Sequence, residues 1–553
     1  MSDLWDAVYP RPQLKRESFF PLSEGWSLHG RPIPAPWTIE TFEEDLRYLC
    51  KFRLPEGFAG EGDQVFLHFG AVDQVCSVRL NNRYLGKHEG GYLPFEMDIT
   101  NSLRTGENEL YVDVKDDLSL ELPYGKQTKT PGGMWYTPVS GIWQQVWIEA
   151  VPAMHRIRKL KITPDLTGAT VEVLTDAKDV EISLWDPEGK QMISGAVMRP
   201  VSRIPVTLPM LWTPEHPNLY RLRVSTDTDR VESYFALRTV EVKSDGFYAR
   251  VYLNGEPVFL NGVLDQGYYQ DTVYLPRDPA EYERDILRMK ELGFNTLRKH
   301  IKIEPDVFYE RCDRLGMLVI QDMVNSGEYR FMRDTVIPTF VNKHKADTVE
   351  HKKDARRRNI FQNHMQETIR LLYNHPCIIG YTIFNEGWGQ FHADRMYETA
   401  KKTDATRFYD STSGWFIQKL SDAQSEHIYY RNKVLRAKHE DKFLFLSECG
   451  GFSREVPGHV SKEYKHYGYG RTHSKEALTA KIEQMYRAMV LPSIKNGLCG
   501  VILTQLSDVE GELNGLYTYD REVCKVSRKR VRAASARAFA CFRHVVETGK
   551  GGV

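Results

Sequence analysis

Up to about residue 152, apolar and polar positions alternate in short runs broken by Asn, Gly and Pro. "QVFLHFGAVDQVCSVRLNNRYLGKH", "ELYVDVKD" and "QQVWIEAV" follow a period of two, which marks half-buried antiparallel strands. The alternation continues to about 245 in "TVEVLT", "VEISLWDPEG" and "NLYRLRVST", with the length and turn spacing of a seven-stranded immunoglobulin-like sandwich. From about 246 the period changes. "PAEYERDILRMKELG" and "EPDVFYERCDRLG" carry apolar residues at helical spacing. They alternate with compact apolar runs: "PVFLNGV", "FNTLRKH", "MLVIQDM", "CIIGYTIFNE", "TRFYDSTS", "SEHIYY", "KFLFLSE" and "LCGVILTQL". Eight such runs, with helical segments between most of them, predict a (β/α)8 barrel. The expected order is an antiparallel sandwich over 1–152, an immunoglobulin-like sandwich over 153–245, and a barrel over 246–553 closed by the helix "RKRVRAASARAFACFRH". The basic stretch "KHKADTVEHKKDARRRN" reads as a solvated loop after the third barrel strand.

A barrel of this kind carries its chemistry at the C-terminal ends of its strands. Two predicted strands end in glutamate: the fourth at Glu386, in "YTIFNEGWGQF", and the seventh at Glu448, in "FLFLSECGG". A carboxylate capping a buried strand is costly to desolvate unless something uses it. Glu386 alone could be a loop carboxylate reaching water. Strands four and seven lie across the barrel from each other, however, so the two carboxylates should face one another over its mouth. That arrangement suits glycosidic bond cleavage, in which one carboxyl protonates the leaving oxygen and the other attacks the anomeric carbon or activates water.

Several longer phrases, in order, carry a resemblance to glycoside hydrolase family 2, the β-galactosidases, β-glucuronidases and β-mannosidases. They are "LNNRYLGKHEGGYLPFEMDIT", "VSGIWQQVWIE", "LNGEPVFLNGV", "DILRMKELGFNTLRKH", "FYERCDRLGMLVIQD", "NHPCIIGYTIFNEG" and "FLSECG". The resemblance implies a jelly-roll-like sugar-binding sandwich in front, and an exo-acting enzyme that retains anomeric configuration. It makes Glu386 the acid/base and Glu448 the nucleophile. Asn385 matches the asparagine that bonds the sugar 2-hydroxyl, Tyr429 the tyrosine that bonds the nucleophile, and Arg298 the arginine beside it. Asp322, His300 and His427, at or just beyond strand ends, join the candidate substrate-binding set. A catalytically dead carbohydrate-binding scaffold is the remote alternative, and the complete catalytic set speaks against it.

The departures bear on the substrate. The Asn-x-Lys pair of β-glucuronidases is missing from "LSDVEGELNGLYTYDREVCK", and the usual eighth-strand tryptophan is replaced by Thr504 or Gln505. "PGGMWYTPVSG" puts Trp135 where relatives send an aspartate, and His300 precedes Ile301 where they have Ser-His-Tyr-Pro. Lys299, His300 and Lys302 after strand two, Arg330 and Arg333 after strand three, and Arg431 and Lys433 after strand six lean the reading to a β-hexuronide, since fixed cations hold a carboxylate. A neutral galactoside-type sugar and an arabinoside are the alternatives. Trp135, Trp388, Trp415 and Tyr430 are candidate stacking platforms for a sugar face.

Composition adds limits. Lys+Arg and Asp+Glu both number 74, so no polyanionic partner is implied and nucleic acid is not expected. Eight scattered cysteines form no CxxC pair, and no His/Cys cluster has ligand spacing, so neither metal nor cofactor is expected. Such cysteines read as reduced thiols, which points to the cytoplasm. "MSDLWDAVYPRPQ" lacks the features of a signal peptide, and no stretch approaches the 18 apolar residues of a membrane span. The expected partner is a carbohydrate. The oligomeric state stays open, a homo-oligomer included.

Overall fold

The computed structural model describes residues 2–37, 42–330, 332–336, 354–460 and 465–549. The alternating N-terminal stretch forms two antiparallel sheets, one of six strands and one of four. Asn108–Lys115, central in the larger sheet, buries Leu110, Val112 and Val114 while Glu109, Tyr111 and Asp113 turn outward. Its inward face meets Leu67 and Ile148 of the smaller sheet in one core. The second sandwich pairs a three-stranded with a four-stranded sheet around Ile162, Val171, Ile182 and Leu222.

The barrel follows. Its strands are β1 (Leu260–Asp265), β2 (Thr296–Lys299), β3 (Leu318–Asp322), β4 (Ile378–Asn385), β5 (Phe408–Ser413), β6 (Ala423–Ile428), β7 (Phe443–Gly450) and β8 (Leu498–Thr504). All pairings are parallel, in the order β5-β4-β3-β2-β1-β8-β7-β6. Helices cover the outside and side chains fill the inside, so strands such as β4 and β8 are buried along their whole length. β5 and β6 meet at a seam bridged by side chains, with Ser413 Oγ 3.3 Å from Ser425 Oγ.

The helix Ala280–Glu291 ends before Gly293, and Asp306–Leu315 ends at Gly316, whose φ of 69° is a left-handed cap; a Cβ there would stand 2.4 Å from the Pro214 carbonyl. Part of the basic stretch departs from expectation. Positions 343–353 lie outside the described residues, but Ala355–Leu371 is a helix, not a loop. Arg356 on it pairs with Glu89 and Glu121 of the first sandwich.

The chain's first residues do not stay with the first sandwich alone. Trp5 is fully buried in the barrel's core and donates to the Pro276 carbonyl at 3.0 Å. Arg16 forms a fork with Asp229 of the second sandwich. A loop of the first sandwich reaches the catalytic end of the barrel, where Tyr124 N bonds the Asn325 carbonyl at 3.0 Å.

Candidate active site

β4 places the first carboxylate. Its last residue, Asn385, is followed by Glu386 at φ 52° and Gly387 at φ 73°. A left-handed non-glycine residue is strained, and here the turn is fixed by Glu386 N bonding the Ser413 carbonyl at 2.8 Å. The turn ends the strand abruptly and sets the Glu386 carboxyl at the mouth. β7 carries Glu448 to the same space from the opposite wall. One ligand atom each of Glu386, His427 and Glu448 lie within 4.8 Å of one another.

Arg298, wholly buried on β2, ties this site together. Its Nη1 donates to Glu448 Oε1 at 3.0 Å, its Nη2 to Asn385 Oδ1 at 2.9 Å, and its Nε to Asp322 Oδ1 at 2.9 Å. His300 Nδ1 holds the other Asp322 oxygen at 2.6 Å. Asp322 and Arg298 therefore position other groups, and their polar atoms are spent on the protein. The Tyr429 hydroxyl donates to Glu448 Oε2 and stands 3.1 Å from Thr504 Oγ1. His427 Nδ1 lies 2.8 Å from Glu386 Oε1, and its Nε2 lies 2.9 Å from Ser413 Oγ.

The surrounding charges act strongly on Glu448. Burial pushes Glu448 up, but His427, Arg298 and His300, with the Tyr429 hydroxyl, outweigh it and hold the group at about 2. Glu448 is thus ionised at any ordinary pH. Burial and the neighbouring Lys126 push His300 down, against the pull of Asp322.

Several sequence candidates are placed elsewhere. Lys299 is buried against Asp265 and Glu304. Lys302 spends three donors on Glu304, the Gly267 carbonyl and the Tyr274 carbonyl, at 2.9, 2.6 and 2.6 Å. Both are structural ammonium groups beneath the mouth and cannot reach a substrate. Arg333 forks onto Asp334, Arg330 pairs with exposed Glu328, and Arg431 and Lys433 are exposed surface. Trp388 does not present a free face to the mouth. It is buried, donates to the Gly327 carbonyl and packs edge-on against Tyr124 and Trp135, so it builds the wall. Trp415 stands edge-on to His427 at 5.4 Å and is pinned by the Asp334 carbonyl, whereas Tyr430 is largely exposed.

The sequence reading missed Ser413, Lys126 and Glu512. Glu512 accepts from the Tyr136 hydroxyl and from Asn514 Nδ2, which joins the loop after β8 to the first sandwich. Lys126 sits in a Gly/Pro-rich loop with no local signal. The Glu386–His427–Glu448 triangle, whose spacing would also accept a metal ion, comes from three strands and has no local spacing signature either.

Two β-sandwiches in front of a parallel barrel with facing glutamates define a class of carbohydrate-active protein. The chain belongs to glycosyl hydrolases family 2: residues 30–152 match the family's sugar binding domain, 155–238 its middle domain, and 240–450 its TIM barrel domain. It is 28% identical over 475 residues to a β-galactosidase of Thermoanaerobacter pseudethanolicus, covering 78% of this chain and 57% of that one. A β-galactosidase of Leuconostoc mesenteroides is 27% identical over 451 residues, covering 74% and 40%. The chain thus spans roughly half the length of these curated relatives. Among solved structures, the β-D-glucuronidase of Dictyoglomus thermophilum superposes with a TM-score of 0.75 at 19% identity, covering 96% of this chain and 98% of that one. The β-glucuronidase of Ruminococcus gnavus gives 0.75 at 18%, covering 96% and 99%. At such identities the likeness is one of fold.

Proposed function

We propose that this chain is an exo-acting, retaining β-glycosidase whose terminal sugar is a β-hexuronide. The observation that carries the mechanism is Glu448 facing Glu386, with one carboxylate oxygen of each within 4.8 Å of the other. Retaining enzymes hold their carboxyl groups about 5–5.5 Å apart, whereas inverting enzymes leave about 6.5–9.5 Å for a water. Glu448 attacks the anomeric carbon while Glu386 delivers its proton to the departing oxygen. The covalent sugar–Glu448 ester is then hydrolysed by a water that gives its proton to Glu386, and the sugar leaves with its original configuration. Arg298 holds the Asn385 carbonyl, which leaves the amide NH2 to donate to the 2-hydroxyl. The wall of Tyr124, Trp135 and Trp388 supports attack at chain ends.

The acidic sugar is supported by Lys126, a nearly buried residue beside the mouth whose ammonium has no hydrogen-bond or ion-pair partner among the described residues. A neutral galactoside-type substrate is the second reading, favoured by the β-galactosidases among the relatives and by Glu512 beside the site. A panel of nitrophenyl β-glucuronide, β-galacturonide, β-galactoside and arabinoside separates the two. Faster turnover of the neutral β-galactoside than of either hexuronide overturns the acidic reading. A slow fluorosugar substrate should label Glu448 alone, and labelling at Glu455 would overturn the nucleophile assignment.

A further inference from the structure

Every lysine or arginine that the sequence offered for a substrate carboxylate is committed to protein partners or lies on open surface. Among the described residues, Lys126 is a further, nearly buried cation beside the mouth. Lys126 lies in the first sandwich's loop "YGKQTKTPGG", between a glycine and a glutamine that fix its course. Gly125 has φ 68°, and a Cβ there would stand 2.6 Å from the Tyr92 hydroxyl and 3.1 Å from the Ile301 carbonyl oxygen. The loop backbone therefore presses directly on the segment that leaves β2, one residue beyond His300. Gln127 turns its amide into the sandwich, to Asp73 at 2.8 Å, and the Lys126 carbonyl is held by Tyr136 N at 3.0 Å.

The Lys126 side chain is 8% exposed, and among the described residues its ammonium makes no hydrogen bond or ion pair. Its positive charge is felt by His300 and by Glu512, and Glu512 in turn feels Glu448. Its loop packs on Ile301 after β2 and is tied to Tyr136, whose hydroxyl bonds Glu512, so Lys126 lies between the end of β2 and the loop after β8. An ammonium at the end of a nearly buried side chain, with no hydrogen-bond partner among the described residues, is available to an anionic ligand that enters the mouth. Glu512 is a poor substitute. Its oxygens are taken by Tyr136 and Asn514, and burial pushes its carboxyl above the ordinary range despite Lys126.

We infer that Lys126, delivered from the first sandwich, binds the carboxylate of a terminal β-hexuronide in the sugar subsite and so determines specificity for acidic sugars. This rests on the hexuronide reading above, and moves the carboxylate grip from the barrel to the domain in front of it. A lost charge-assisted bond of this kind costs about 10- to 100-fold in kcat/KM.

The test compares wild type with Lys126→Met, Lys126→Arg and Lys129→Met, the last an exposed lysine of the same loop paired with Glu44. Substrates are nitrophenyl β-hexuronides and the matching neutral hexosides. The expected result is a fall of about 10- to 100-fold in the hexuronide-to-hexoside ratio of kcat/KM for Lys126→Met, with partial recovery in Lys126→Arg and no change in Lys129→Met. If wild type cleaves hexuronides best but Lys126→Met keeps the ratio, Lys126 is not the grip and the substrate reading survives. If both substrate types fall equally, Lys126 only supports the fold or bonds hydroxyls, and the inference fails. Should Lys126→Met not fold, Lys126→Gln is read in the same way. If wild type prefers the neutral hexoside, the hexuronide reading falls first and this inference with it.

Discussion

Glu386 and Glu448 are the same residue type on the same barrel, and their surroundings give them different work. Glu448 is held ionised by Arg298, His427 and Tyr429, as a nucleophile requires. Glu386 faces His427 across 2.8 Å, and in the proposed mechanism it is the group that delivers a proton to the leaving oxygen. Glu386→Ala should therefore hurt substrates with poor leaving groups most, because only those need the proton in the first step. With an activated aryl glycoside, azide should restore turnover and give a β-glycosyl azide, and an α-azide would show inversion. Arg298→Gln tests the other partner. Removing a positive charge beside a carboxylate disfavours its ionised form, so Glu448 should rise from about 2 toward the ordinary glutamate value. The acid limb of kcat/KM should then move to higher pH. An unmoved limb would mean that Arg298 does not set the charge of Glu448.

At the scale of elements, the site depends on how β1 and β2 are joined below the mouth. Lys299 bridges Asp265 at the end of β1 and Glu304 in the segment that follows β2, with its ammonium fully buried. Its role is to neutralise two carboxylates that the barrel has taken out of water. Lys299→Met should lower stability by about 3–5 kcal/mol, because it leaves buried charge uncompensated. The preference between hexuronide and hexoside, measured on the folded fraction, should not change. A selective loss of hexuronide turnover would restore Lys299 as a substrate ligand.

The whole molecule adds what the barrel cannot supply. The wall of the mouth is made partly by the first sandwich, through Tyr124 and Trp135 packed on Trp388. The chain's start, in turn, is anchored in the barrel through Trp5, which stands edge-on to Tyr282. Trp5→Ala should cost about 3–5 kcal/mol by cavity formation. Calorimetry should show that loss in the barrel's own transition, since Trp5 is fully buried in its core. An unchanged barrel transition would mean that the segment is only laid against the surface.

The barrel, the order of the sandwiches and the glutamate pair were legible in the sequence because each is written locally. Period-two alternation specifies half-buried strands, compact apolar runs specify strands buried on both faces, and a glutamate closing such a run is conspicuous. The partners of each charge were not legible. "LRKHIK" shows two lysines and a histidine after a strand, and nothing local says that Asp265 and Glu304 neutralise the lysines while His300 turns to Asp322. In the same way "YGKQ" gives no sign that the loop carrying Lys126 packs on Ile301 of the barrel. A side chain's burial and counter-ions depend on groups brought near from distant parts of the chain. Local pattern therefore placed both glutamates at or near strand ends, although β7 runs two residues past Glu448, and only the tertiary structure decided which charges are neutralised inside the protein.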